Sequence, residues 1–366
     1  MSKLTTDNIL RNDALVFLKK YLNASSPTGF EWTGQQVWLD YIKPYIDKYE
    51  VDDYGTVYGV INPDAKYKVV IEAHADEISW FVNYITDDGF IYLKRNGGSD
   101  PQIAPSMRVH IHTRDDKKIP AVFGWPAIHL RRGEKDVTPT LNKVFLDCGC
   151  TSKAEVLEKG IHVGCVVTFV DGFMTLNDRY FVGRALDNRM GGFMIAQVAR
   201  LIQENNVKLP FGLYIVNSVQ EEVGLRGAQM IAERIKPNVA IVTDVGHDTN
   251  TPMIKKIPNG DFKAGKGPQL AYAPAVHNKL LDIIIDAAEA NEIPFQREAN
   301  SRSTGTDTDA FAYSNSGVVS ALISLPLRYM HTTVEMTHQE DVANVIRLIY
   351  LTLQKIENNH NFKYIQ

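Results

Sequence analysis

Phe211-Gly212-Leu213-Tyr214-Ile215-Val216-Asn217-Ser218-Val219 runs directly into Gln220-Glu221-Glu222-Val223-Gly224-Leu225-Arg226-Gly227-Ala228. The first stretch is an apolar run of strand length, and two adjacent acids stand where it stops. That placement is costly, because like charges so close raise one another's pKa unless a cation lies beside them. A bound metal would be such a cation. On an extended chain consecutive side chains point in opposite directions, so one acid could bind metal while the other acts as base. The pair could equally complement the N-terminus of the helix that follows. The rest of the chain has to separate these readings.

Outward from this stretch the chain has three textures. Up to about Asp76 it reads as helix Asp13–Leu22, helix Trp32–Tyr49, then strands Val57–Ile61 and Lys68–Ala73, the last ending in His74-Ala75-Asp76-Glu77. From Ser79 to Leu176 short strands recur between turn residues: Trp80–Ile85, Phe90–Lys94, Met107–His112, Ala121–Trp125 and Val166–Val170. Asp87-Asp88-Gly89 and Asp115-Asp116-Lys117 mark hairpins, and the spacing predicts a small barrel or sandwich. After Arg179 strands alternate with helices: helix Arg189–Glu204, strand Phe211–Val219, helix Leu225–Ile235, strand Val239–Thr243, helix Ala275–Asn291, strand Val318–Leu325 and helix Glu340–Glu357. The fold class expected is therefore α/β, a mostly parallel central sheet with helices on both faces. Residues 1–78 and 177–366 would form it, with 79–176 inserted as a small all-β domain.

Composition bounds the function. The 366 residues suit two domains or one large one, and 44% apolar with 22% charged residues is ordinary for a globular protein. A net charge of −4 gives no electrostatic case for nucleic acid or an anionic membrane. No apolar stretch is long enough to span a bilayer, and the polar start Met1–Asn8 lacks the apolar core of a secretory signal. Three cysteines make no disulfide framework. Cys148, Cys150 and Cys165 lack the spacing of a zinc finger and read as small buried side chains. A cytoplasmic setting is expected.

The ionisable residues at strand ends are the candidate site. His74 and Asp76 follow one strand, Glu221 and Glu222 another, Asp244 a third, and His331 lies just beyond a fourth; Asp187 precedes a helix. In open α/β sheets ligands bind outside the carboxyl ends of the strands, so these groups can converge. Singly, each has a plain structural reading, such as Asp187 capping the next helix. Together they suit two divalent ions about 3.5–4 Å apart, bridged by a carboxylate.

The chain resembles the co-catalytic dizinc aminopeptidases of the glutamyl-aminopeptidase and tetrahedral-aminopeptidase group, some of them once labelled endoglucanases. The resemblance covers nearly the whole chain. It is carried by Ser26-Pro27-Thr28-Gly29, His74-Ala75-Asp76-Glu77-Ile78, Arg184-Ala185-Leu186-Asp187-Asn188-Arg189, Gln220 to Ala228, Thr243-Asp244, Gly305-Thr306-Asp307 and Arg328-Tyr329-Met330-His331. It implies that Asp187 bridges two metals, zinc with cobalt or manganese as alternatives. His74 and Asp244 would complete one metal site, Glu222 and His331 the other. Glu221 would be the general base, and Asp76 would orient His74. Gly305, Thr306 and Asp307 would border the substrate cleft, or else cap a helix.

The implied activity is removal of N-terminal residues from short peptides, by homo-oligomers built from dimers up to dodecamers, with the inserted domain used in assembly and in shaping the cleft. The departures are Ala75, Ser79 and Asn188, where the family usually has Met, Gly and often Asp; none removes a ligand that the resemblance implies. Alternatives are a dizinc amidohydrolase or carboxypeptidase-like enzyme on the same fold, a metal-free glycosidase using two carboxylates, and a metal-loaded scaffold that does not turn over.

Overall fold

The computed structural model describes residues 4–131, 137–170 and 172–365. Lys48–Val51 (β1), Val57–Ile61 (β2) and Lys68–His74 (β3) come first. The chain then leaves for Ser79–Ile85 (β4), Ile91–Asn96 (β5), Arg108–His112 (β6), Lys118–Gly124 (β7), Phe145–Asp147 (β8) and Val166–Phe169 (β9). These close into a barrel in the order β4-β5-β8-β7-β6-β9. Met174–Leu176 (β10) and Tyr180–Gly183 (β11) lead back to Gly212–Ser218 (β12), Val239–His247 (β13), Gln269–Tyr272 (β14), Gln296–Ala299 (β15), Val319–Leu327 (β16) and Glu335–His338 (β17). The main sheet has eight strands in the order β1-β2-β12-β3-β13-β16-β14-β15, and β10-β11-β17 form a separate antiparallel sheet.

The centre of the main sheet, β12-β3-β13-β16, is parallel throughout. Its strands are buried on both faces, so they read in sequence as mostly apolar runs, broken by single polar residues such as Glu72, rather than as alternating ones. The direction reverses where β2 meets β12 and where β14 meets β16. Helix Leu186–Glu204 lies over β3 and β13, with Asn12–Asn23, Trp32–Ile42 and Gln339–Leu353 packed around it. Gly191 permits that approach, since a Cβ there would sit 2.8 Å from Ala73 Cβ. Arg226–Ile235 and Asp307–Ala312 pack on each other and on β12, β13 and β16. Two separate apolar cores result, one between these helices and the main sheet, the other inside the barrel around Trp80, Phe123 and Leu146.

Several boundaries differ from expectation. The helix expected over Trp32–Tyr49 ends at Ile42, followed by a 3-10 turn Lys43–Tyr45 and then β1. Pro44 is the reason, having no N–H to continue the helix. The closing helix stops at Leu353. Strands β3, β13 and β16 run on to His74, His247 and Leu327, so Asp244 lies inside a strand rather than after one. The short strands β1, β10, β11, β14, β15 and β17 were not anticipated; β15, for example, is Gln-Arg-Glu-Ala and carries no apolar signal.

Candidate metal centre and active site

The parallel centre of the sheet delivers two of the candidates to one edge. His74 ends β3, Ser218 ends β12 beside it, and Asp244 lies on β13. Glu221 and Glu222 do not sit on extended chain. They occupy a 3-10 turn, Glu221–Val223, entered through Gln220 at φ 58° and left through Gly224 at φ 119°. Residues in such a turn are rotated by roughly a third of a circle from one to the next. The two carboxylates therefore still diverge: Glu221 Oε2 lies 3.9 Å from His74 Nε2, and Glu222 Oε1 lies 3.5 Å from His331 Nε2.

Asp187 stands between the two imidazoles. Its Oδ1 is 3.2 Å from His74 Nε2 and its Oδ2 is 3.3 Å from His331 Nε2. Its backbone is not helical (φ −76°, ψ 112°), and the Asp187–Asn188 peptide is cis. Its two carboxylate oxygens face the two rings rather than the amides of the following helix, so the capping reading of Asp187 does not hold. Asp244 Oδ1 is 3.8 Å from the same His74 nitrogen. Donor atoms of His74, Asp187 and Asp244 all lie within 4.8 Å of one another, as do those of Asp187, Glu222 and His331.

Comparison with known proteins fits this geometry. The family model described as M42 glutamyl aminopeptidase matches residues 55–348. The chain belongs to that family. It is 32% identical to the lysyl aminopeptidase of Pyrococcus furiosus over 93% of this chain and 96% of that one. Its fold matches the crystal structure of a TET aminopeptidase from a marine sediment archaeon of the Thaumarchaeota, with TM-score 0.89, 28% identity and coverage of 94% and 97%. It also matches the Pyrococcus horikoshii TET1 peptidase, described as able to assemble into a tetrahedron or a large octahedral shell, with TM-score 0.82, 26% identity and coverage of 92% and 98%. As an M42 family member the chain is a peptide hydrolase.

Around the M42 cluster a second layer of buried groups fixes the donors. Asp76 Oδ1 is 3.3 Å from His74 Nδ1, and the same carboxylate accepts the amides of Glu221 at 3.0 Å and Glu222 at 3.2 Å and the Thr28 hydroxyl at 2.9 Å. Glu335 accepts the Asp187 amide at 3.0 Å and the His331 amide at 2.7 Å. Glu77 accepts the Ser26 amide at 2.8 Å and is paired with Arg184 and Arg189. His331 has φ 61°, and its ring lies over Gly98 of the loop after β5. A Cβ at Gly98 would come within 2.5 Å of His331 Nδ1, so only glycine fits.

The electrostatics of the M42 site are those of a cation cradle. Burial pushes the Glu221 carboxyl up to about 10, with His74 opposing and Asp244 adding to the rise. Burial likewise raises Glu222 and Asp244. Asp187 alone is held below the usual carboxylate range: burial would raise it, but the His331 and His74 rings overcome that. His331 is raised to about 11 by its contacts with Asp187 and Glu222. So many acids facing two imidazoles need either protons or dications, and the His and carboxylate donor set is one that zinc accepts. The residues present therefore fit two divalent ions.

A cleft of about 440 Å³ opens over the cluster, lined by His74, Asp187, Glu221, Glu222, Asp244 and His331, and further out by Gly305 and Thr306. Thr306 also caps helix Asp307–Ala312 by accepting the Thr308 amide, so both readings of that stretch apply. Asp307 is not in the cleft. It is 1% exposed, beneath the cluster, where its carboxyl accepts from Ser218 Oγ at 2.8 Å beside Glu72. Glu72 and Glu335 carried no sequence signal, since each is an acid within an ordinary strand pattern. Cys148 and Cys150 are free thiols with their sulfurs 3.5 Å apart at the barrel, and Cys165 is buried. Among the described residues no helix is long and apolar enough to cross a membrane.

Proposed function

We propose that this chain is a two-metal aminopeptidase that removes single N-terminal residues from short peptides. The observation that carries the reading is Asp187, whose two oxygens face two different imidazoles 3.2 and 3.3 Å away, as a bridging ligand must. His74, Asp187 and Asp244 would hold one ion, and Asp187, Glu222 and His331 the other. Such ions polarise the scissile carbonyl and acidify water.

Glu221 belongs to neither of these two sets, though its carboxylate also lies within 4.8 Å of donors on His74 and Glu222, and it points into the cleft beside His74. It is the group left to accept a proton from the attacking water and pass it to the leaving amine. Asp76 holds the Glu221-Glu222 turn through its two amides and stands 3.3 Å from the His74 ring. The acidic lining favours a substrate that arrives with a free ammonium group. Residues 79–176 would act as a separate domain for assembly, and the kinship with TET peptidases supports a homo-oligomer. Zinc is the metal proposed, with cobalt and manganese accepted by the same donors.

Paired reporter peptides, one with a free amine and one N-acetylated, test the activity. Hydrolysis confined to the free amine supports it. Preferential hydrolysis of the acetylated peptide would make the chain an amidohydrolase instead. Kinship leaves the first side chain open, because the family description names glutamate and the Pyrococcus furiosus relative is named for lysine.

A further inference from the structure

Glu298 lines the same cleft, on its wall away from the metal cluster. It lies on β15, opposite Ala271 of β14, which in turn pairs with β16 beside Asp244's strand. Three strand spacings of ~4.8 Å place it about 14 Å across the sheet from β13. That is too far for the α-amine or the carbonyl of a bound N-terminal residue. It is within the combined reach of a glutamate side chain and a long side chain growing from the substrate.

Among the described residues no lysine, arginine or histidine forms an ion pair with Glu298. Neighbouring Arg297 turns to Phe295 and Glu289, and His247, also on the cleft wall, is exposed. Burial pushes the Glu298 carboxyl up, and the Asn300 side chain only partly offsets this by hydrogen bonding. A half-buried acid left unpaired at a substrate wall is destabilising until a cation arrives. The other lining groups on this side, Asn300 and Thr304, are neutral.

Resting on the aminopeptidase reading, we propose that Glu298 selects peptides whose N-terminal residue carries a cationic side chain, lysine or arginine. Its carboxylate accepts the ammonium or guanidinium hydrogen bonds of that side chain, while the metal cluster engages the backbone. A glutamate at the same substrate position would face like charge and be rejected.

The test compares kcat/KM for lysyl, arginyl, leucyl and glutamyl reporter amides in the metal-loaded enzyme and in Glu298→Gln, Glu298→Asp and Glu298→Lys. The wild type should prefer lysine and arginine. The Lys/Leu ratio should fall about tenfold or more in Glu298→Gln, as expected for a charge-assisted bond. It should recover in part in Glu298→Asp, and Glu298→Lys should turn the preference toward glutamate. The ratio is internal to each preparation, so partial misfolding cannot mimic the result. A ratio that stays within about twofold in Glu298→Gln, or a wild type that prefers glutamate, overturns this inference and leaves the aminopeptidase reading standing. No hydrolysis of any free-amine reporter by the wild type overturns both.

Discussion

The Asp76 carboxylate accepts the Glu221 amide at 3.0 Å through the same oxygen that faces His74 Nδ1 at 3.3 Å. One buried acid thus ties the end of β3 to the turn after β12 and stands beside both the ring of one proposed ligand and the origin of the proposed base. Asp76→Asn keeps the volume but replaces an acceptor with a donor. Metal affinity, measured by competition with a chelator, should weaken by about 10–100-fold. Unchanged affinity would mean that Asp76 does not tune His74.

Glu221→Gln separates proton transfer from metal binding. Glu221 lies 3.9 Å from His74 yet outside the two proposed ligand sets. The substitution should lower kcat by about 10²–10⁴-fold. Metal content, read by mass spectrometry, should stay as in the wild type. Near-native turnover would remove Glu221 from the role of base.

Gly98→Ala tests the seam between the barrel side and the metal side. The added methyl would meet His331 Nδ1 at 2.5 Å and Cε1 at 2.6 Å. The ring or the loop has to shift, which disturbs the placing of His331 against Asp187 and Glu222. Activity and metal retention should fall by at least about tenfold, since misplacement of even 1 Å near reacting groups is costly. The nearest atoms the added methyl would meet all belong to His331 and not to the barrel core, so near-ultraviolet circular dichroism should show little change.

His112 gives a pH dependence away from the site. Burial, then the charges of Lys118 and His110, depress it to about 4, and its Nε2 lies 2.9 Å from Thr168 Oγ1. The folded state therefore favours the neutral ring, while the unfolded state takes up a proton at about 6.5. Between those values the unfolded state binds more protons, so stability falls as pH falls. The loss is about 2 kcal/mol after allowance for partial solvent screening. Urea unfolding of wild type and His112→Gln should diverge between pH 4 and about 6.5 in that direction; parallel curves would contradict the depressed pKa.

The sequence carried the centre of the fold because β3, β12, β13 and β16 are buried on both sides and appear as mostly apolar runs. It carried the cluster because chemistry-bearing residues stand at the ends of those runs. Edge strands were illegible: β15 alternates half-buried and exposed polar residues, and it brings Glu298 to the cleft. Glu335 was illegible for another reason. Its carboxylate acts on the amides of Asp187 and His331, and nothing local marks which distant amides an acid will find. Asp307 misled because Gly305-Thr306-Asp307 is one motif in sequence but two environments in space. The helix starting at Asp307 turns that residue inward to Ser218 while Thr306 stays at the cleft.

The bridging role of Asp187 is the claim on which the rest stands, and metal stoichiometry addresses it directly. Equilibrium dialysis of the metal-stripped chain against zinc, followed by elemental analysis, should give two ions per chain for the wild type. For Asp187→Asn, which weakens both ligand sets at once, binding at both sites should collapse together. Two ions retained by Asp187→Asn, or one or none bound by the wild type, would contradict the account.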